Sequence, residues 1–292
     1  MSIIDTNALI LGVVGDPVAH SVSPLVHNTI FDYYDINAVY LPFHVKQGDL
    51  NRFRESLPMM NMVGFNVTMP HKAAILPYLY ELSDTVSLFG AANTVRVENE
   101  KLYGHMFDGD GLVLAIKNEG VDLFDKRVVV LGAGDVTGTI CDALAREGVQ
   151  RITLLNRTVS KAENMASLIN LEHGIETYFG GLTPNELEVS CHEADILIQA
   201  SSLGMKHTGA DYRSLAFINE LPENAIVMDV IYNPIETEIL RHARRRKLHT
   251  IDGLGMLLFQ AMLVLNCLLG LKVDKEAYEK ARTAAHKVLT TK

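Results

Sequence analysis

From Asp125 onward, short runs of β-branched and aliphatic residues recur between helix-forming stretches, and that rhythm admits few folds. The runs are Val128 to Leu131, Ile152 to Leu155, Ile175 to Phe179, Ile196 to Ala200 and Ala225 to Val230. Helical patterns such as Thr137 to Arg146 and Lys161 to Leu171 separate several of them. Parallel strands need long crossover connections, usually helices, so the pattern predicts βαβ units around a parallel sheet.

Before Asp125 the chain is also mixed. Strands are expected at Leu9 to Val14, Val39 to Val45 and Val63 to Val67, and helices at Leu25 to Tyr34, Leu50 to Leu57 and Ala73 to Leu82. Val95 to Val97 and Leu102 to Met106 flank Asn99-Glu100 as a hairpin, and Asp110 to Glu119 reads as a connecting helix. The 292 residues allow two domains, each with its own core. After Pro234 the chain turns helical through Glu236 to Lys247, Leu254 to Leu271 and Lys275 to Val288, and these helices are expected to pack back on the first domain. The stretch Leu254 to Leu271 carries no charge but is interrupted by Gln260 and Asn266, so it reads as a buried helix rather than a membrane span.

Charge narrows the partners. Twenty-six basic against thirty-five acidic residues give a net −9, which opposes binding to nucleic acid or anionic membranes and points to a small molecule. The five basic residues between Arg241 and Lys247 read as a solvated face near a helix C-terminus. Cys141, Cys191 and Cys267 form no CxxC, and no histidine sits in an HExxH, so no metal is expected. Met1 to Asn7 carries Asp5 and lacks the basic start of a signal peptide, which predicts a cytoplasmic protein.

Val128 to Leu131 runs into Gly132-Ala133-Gly134-Asp135-Val136-Thr137-Gly138 and then a helix. Strand, glycine turn and helix in that order bring backbone N–H groups and the positive helix end to a pyrophosphate. About twenty residues on, an NAD site would place a carboxylate for the ribose hydroxyl. The chain instead reads Asn156-Arg157-Thr158-Val159-Ser160-Lys161, whose cations and hydroxyls suit a 2′-phosphate, so NADP is the expected cofactor.

Elsewhere, Ser21 and Ser23 precede a helix opened by Pro24, where Ser23 is either an N-cap or, with Ser21, part of a carboxylate site. Alternation sends Asn66 and Thr68 to one side of a strand end, with Lys72 just beyond. Asn93-Thr94 adds polar groups, and Asp108 lies where the hairpin meets the connecting helix.

Taken together, Ser21-Val22-Ser23-Pro24, Asn66-Val67-Thr68-Met69-Pro70-His71-Lys72, Gly90-Ala91-Ala92-Asn93-Thr94, Asp108, Gly132-Ala133-Gly134, Asn156-Arg157-Thr158, Tyr232-Asn233-Pro234 and Met256 to Ala261 resemble the shikimate dehydrogenases and their quinate-oxidising relatives. The resemblance runs from Gly15 to Gln260 in the family's order. It implies an α/β substrate domain over residues 1–109, a Rossmann-type, doubly wound parallel-sheet NADP domain over 110–240, and C-terminal helices over 241–292 returning to the first. It implies NADP-dependent interconversion of shikimate and 3-dehydroshikimate in aromatic amino acid biosynthesis. Lys72 and Asp108 are then the catalytic pair, with the proton's carrier left open. Ser21 and Ser23 hold the carboxylate, and Asn66, Thr68, Asn93, Tyr232 and Gln260 line the ring. Gly132, Ala133, Gly134, Asp135, Val136, Asn156, Arg157, Thr158, Lys161 and Gly253 form the cofactor set. A monomer or homodimer is expected. The alternatives are a dehydrogenase of quinate or another cyclic hydroxy acid, or a non-catalytic NADPH-binding sensor. The family commonly has Asn-Thr before the catalytic aspartate, where this chain has Met106-Phe107. Either one of these two apolar side chains faces the ring, the expectation taken here, or both face the core and only the packing changes.

Overall fold

In the computed structural model, which describes residues 4–206 and 209–291, the first sheet is built from β1 (Leu9–Gly15), β2 (Ala38–His44), β3 (Met62–Val67), β4 (Glu81–Leu82), β5 (Thr94–Glu98) and β6 (Lys101–His105). Its strand order is β2-β1-β3-β5-β6-β4. Helices α1 (Ser23–Tyr33) and α2 (Leu50–Ser56) are the crossovers that make β1, β2 and β3 parallel, whereas β5 and β6 form an antiparallel hairpin beside β3. Asn99 and Glu100 close that hairpin with φ of 49° and 60°, the left-handed pair that a two-residue turn requires. Helix α3 (Asp84–Phe89) links β4 to β5.

Side-chain alternation divides this sheet. Phe65 and Val67 of β3, Val95 of β5, and Leu102 with Met106 of the last strand and its end join Val14, Ile75, Val86 and Ala92 in one hydrophobic core. Asn66 and Thr94 point to the opposite face. The expected helix from Ala73 to Leu82 is absent. Pro77, which has no N–H to continue a helix, sits in a short 3₁₀ turn over Leu76–Tyr78 that leads into β4.

The second sheet contains β7 (Arg127–Leu131), β8 (Arg151–Leu155), β9 (Glu176–Gly180), β10 (Ile196–Gln199), β11 (Ile226–Asp229) and β12 (His249–Ile251). All its pairings are parallel, in the order β12-β11-β10-β7-β8-β9. Helices α4 (Asp108–Asn118), α5 (Thr137–Arg146), α6 (Val159–His173), α7 (Pro184–His192) and α8 (Glu238–Arg245) belong to this unit, and α9 (Gly253–Leu269) and α10 (Lys275–Thr291) follow. The chain reverses its direction of growth between β7 and β10, which opens a crevice at their carboxyl ends.

Residues up to Phe107 together with Gln260–Val288 make one compact unit, and Asp108–Phe259 make the other. The sequence reading starts the returning segment at residue 241. In the structure α8 and β12 stay with the second unit, because β12 extends its sheet and Ile239, Leu240, Ala243 and Leu248 fill its core. Among the described residues no helix is long and apolar enough to cross a membrane. The basic run is engaged locally: Arg241 pairs with Glu236 and Glu238, Arg244 reaches Glu236 at 2.6 Å, and Arg246 donates to the Leu221 carbonyl at 3.0 Å.

Candidate active site

Within the first unit the polar residues collect at the carboxyl ends of β1 and β3 and at the amino end of the neighbouring antiparallel β5, where α1 begins. Val22 occupies the cap position of α1 with no side-chain cap, so Ser23 is not an N-cap. The Ser23 N–H instead donates to Ser21 Oγ at 3.2 Å. With its oxygen accepting there, the Ser21 hydroxyl has its own proton to donate to an anion. Ser23 is buried, and its carbonyl accepts from His27 Nδ1 at 2.9 Å. His27 lies wholly inside the fold, and burial lowers its pKa to about 4, so its ring is neutral.

The register places Asn66 opposite Thr94. Asn66 Nδ2 donates to the Asn93 carbonyl at 3.1 Å and to Thr94 Oγ1 at 3.3 Å, and Thr94 Oγ1 donates to Asn93 Oδ1 at 2.8 Å. The Phe107 N–H donates to that same Oδ1 at 3.1 Å, and Tyr40 donates its phenol proton to Asn66 Oδ1 at 2.7 Å. Thr68 follows β3 and is half-buried.

Lys72 is 9% exposed in the turn after β3. Its carbonyl accepts from the Ala92 N–H at 2.9 Å, and the preceding His71 is tied through Nε2 to the Val45 carbonyl at 2.6 Å. The backbone that carries the amine is therefore held from two sides. Asp108, also 9% exposed, is the first residue of α4, where the helix dipole favours a carboxylate. Gln260 is buried in α9 within the first unit.

The expectation for Met106-Phe107 divides. Met106 is 3% exposed in the hydrophobic core, because it continues the inward alternation of Leu102 and Gly104. Phe107 takes the other side, half-buried, with its ring nearly parallel to that of His105 at 5.8 Å and 6°. Met106 is thus packing, and only Phe107 stands on the polar face.

The second unit carries the cofactor set. Gly132 has φ 114°, and a Cβ there would meet the Ala200 and Ser201 backbone at 3.0 Å, so the turn from β7 into α5 packs against the chain leaving β10 only with glycine. Nothing lies within 4 Å of the position a Gly134 Cβ would take. That open space at the start of α5 fits a pyrophosphate against the backbone. Thr137 stands where a third glycine is usual, and its hydroxyl accepts from the Gly134 N–H at 3.2 Å. Asn156 Oδ1 accepts from the Ala133 N–H at 3.2 Å while its Nδ2 donates to the Thr158 carbonyl at 2.9 Å. Asp135, Arg157, Thr158 and Lys161 are exposed and Val136 is half-buried, with no carboxylate from Asn156 to Lys161. These residues fit an NADP phosphate. Gly253 packs on the strand-end backbone, since a Cβ would meet the Val230 carbonyl oxygen at 2.4 Å.

Tyr232, in the loop after β11, is half-buried and burial raises its phenol pKa. The loop is braced by Asp229, fully buried, which accepts from the Ile231 N–H at 2.9 Å and the Thr237 hydroxyl at 2.6 Å. Gln199 plays the same part after β10, accepting from Ser201 and Tyr212 and donating to the Leu203 carbonyl at 2.7 Å. Sequence reasoning passed over both. Their one signal is a polar residue closing an otherwise apolar strand.

A family model described as the shikimate dehydrogenase substrate binding domain matches residues 13–95, and one described as shikimate / quinate 5-dehydrogenase matches residues 114–255. The chain belongs to the shikimate dehydrogenase family. A shikimate dehydrogenase (NADP(+)) of Alkaliphilus oremlandii is 39% identical to it over 89% of this chain and 91% of the relative. A solved shikimate dehydrogenase in complex with NADP+ matches with a TM-score of 0.89 at 33% identity, over 99% of this chain and 98% of that one. A ligand-free 5-ketofructose reductase of Gluconobacter sp. strain CHM43 matches with a TM-score of 0.86 at 30% identity, over 97% of this chain and all of the other.

Proposed function

We propose that the protein interconverts shikimate and 3-dehydroshikimate with NADP, a step of aromatic amino acid biosynthesis. The observation that carries this reading is Lys72, an amine buried in a braced turn directly after the strand that bears Asn66. A lysine so placed is positioned for proton work rather than for solvation. Ser21 and Ser23, at the positive end of α1, take the carboxylate. Asn66, Thr68, Asn93, Gln260 and Tyr232 take the ring oxygens. Bound NADP supplies the hydride acceptor. Lys72, with Asp108 as its acid/base partner, receives the hydroxyl proton during oxidation and returns it to the carbonyl oxygen during reduction.

The backbone around Gly132 and Gly134 cradles the pyrophosphate, while Arg157, Thr158 and Lys161 meet the 2′-phosphate. The three cysteines are unpaired, which agrees with a reducing cytoplasm, where we place the protein as a monomer or homodimer. Steady-state oxidation of shikimate with NADP, with quinate and NAD as comparators, tests the reading. Faster turnover of quinate would make the chain a quinate dehydrogenase instead. NADPH binding with no turnover of either acid would make the chain a sensor.

A further inference from the structure

The bonds around Asn66 fix one another's direction. The Phe107 main-chain N–H can only donate, so the Asn93 atom 3.1 Å away is its amide oxygen. An amide oxygen can only accept, so Thr94 turns its hydroxyl proton toward it at 2.8 Å. Thr94 Oγ1 must then accept from Asn66, which makes that atom Nδ2, and the Asn93 carbonyl at 3.1 Å demands the same assignment. The Asn66 oxygen is left facing Tyr40, whose hydroxyl can meet it at 2.7 Å only as a donor. Burial pushes the Tyr40 phenol well above its ordinary range, which keeps that proton in place.

Tyr40 itself is immobile. It is fully buried, its main-chain N–H and carbonyl are both bonded to the Asn28 side chain at 2.9 Å, and His27 stacks on its ring at 4.0 Å and 16°. His27 also holds the Ser23 carbonyl, so one aromatic pair supports both the carboxylate serine and the ring asparagine.

From this geometry we infer that Tyr40 is a positioning residue: its hydroxyl, with that of Thr94, locks the orientation of the Asn66 amide that the substrate meets. The inference rests on the assignment of Asn66 to the substrate. Tyr40→Phe keeps the ring and its stack on His27 but removes the hydroxyl that donates to Asn66 Oδ1, leaving the amide held from its Nδ2 side alone.

Shikimate and NADP kinetics on Tyr40→Phe, Asn66→Ala and the double variant test it. Tyr40→Phe is expected to raise KM for shikimate about three- to tenfold, with a smaller change in kcat and none in KM for NADP. In the Asn66→Ala background it is expected to add nothing, since the group it orients is gone. A wild-type shikimate KM in Tyr40→Phe, or its full factor repeated in the double variant, overturns the inference. If Asn66→Ala leaves shikimate KM unchanged, the substrate assignment itself falls and the inference with it. Thr94 gives an independent arm. Thr94→Ser retains the hydroxyl and should bind shikimate as the parent does, whereas the isosteric Thr94→Val should not. Equal loss in the two reduces the ladder to packing.

Discussion

Lys72 is the residue on which the proposed chemistry stands, and its role separates cleanly from binding. A positioned acid/base contributes about 10²–10⁴-fold, so Lys72→Ala should lose that much in kcat while shikimate still raises the unfolding temperature of the variant. Near-parental turnover by a folded variant would reject the assignment. The neighbours of Asp108 make a second case. Met106 lies in the core and Phe107 on the polar face, so the two reversions toward the family's Asn-Thr should behave oppositely. Met106→Asn buries an amide among apolar side chains and should cost about 1–3 kcal/mol of stability with no gain in specificity. Phe107→Thr should tighten shikimate and shift the shikimate-to-quinate ratio of kcat/KM, because it restores a hydroxyl there. An unchanged ratio in folded Phe107→Thr would confine Phe107 to its stack on His105. Much of this was legible in the chain: period-two alternation alone puts Asn66 with Thr68 and separates Met106 from Phe107. Tyr40 and His27 were not, because each acts through a partner distant in sequence, and a tyrosine in a strand is otherwise ordinary core.

Among elements, the strand, glycine turn and helix around Gly132 were readable because each glycine answers a backbone demand. Thr137, where a third glycine is usual, makes a bond of its own, its hydroxyl accepting from the Gly134 N–H. The stretch from Ala73 to Leu82 was misread because its apolar spacing suits a helix while Pro77 forbids one, and β12 is too short to announce itself. The turn after β8 carries the cofactor prediction. Asn156 bridges the Ala133 N–H and the Thr158 carbonyl, so the glycine turn and the basic turn are one braced element from which Arg157 extends into solvent. Only NADP offers Arg157 a 2′-phosphate. Arg157→Ala should therefore raise KM for NADP by tenfold or more, about the worth of a charge-assisted bond, and leave KM for NAD nearly unmoved. Equal losses with both cofactors would assign Arg157 to the shared part of the dinucleotide.

At the scale of the whole molecule, the apolar strands and their cores account for the stability, and one buried acid makes part of it depend on pH. Asp229 closes β11 with no exposed surface. Burial, outweighing its bonds from Thr237 and Ile231, lifts its pKa from 3.8 to about 7. Between those values the folded chain holds a proton that the unfolded chain has released. Raising the pH through that window therefore favours unfolding, by at most about 1.4 kcal/mol per pH unit, and the loss levels off above pH 7. Asp229→Asn imitates the protonated acid: its oxygen still accepts from the Ile231 N–H, and its Nδ2 can donate to the Thr237 oxygen in place of an acid proton. Denaturant midpoints at intervals from pH 4.5 to 8.5 should show the parent losing ground to the variant as pH rises to 7, with the gap constant beyond. Parallel curves across the whole range would mean that Asp229 is ionised in the folded protein at every pH tested, its two bonds having overcome the cost of burial.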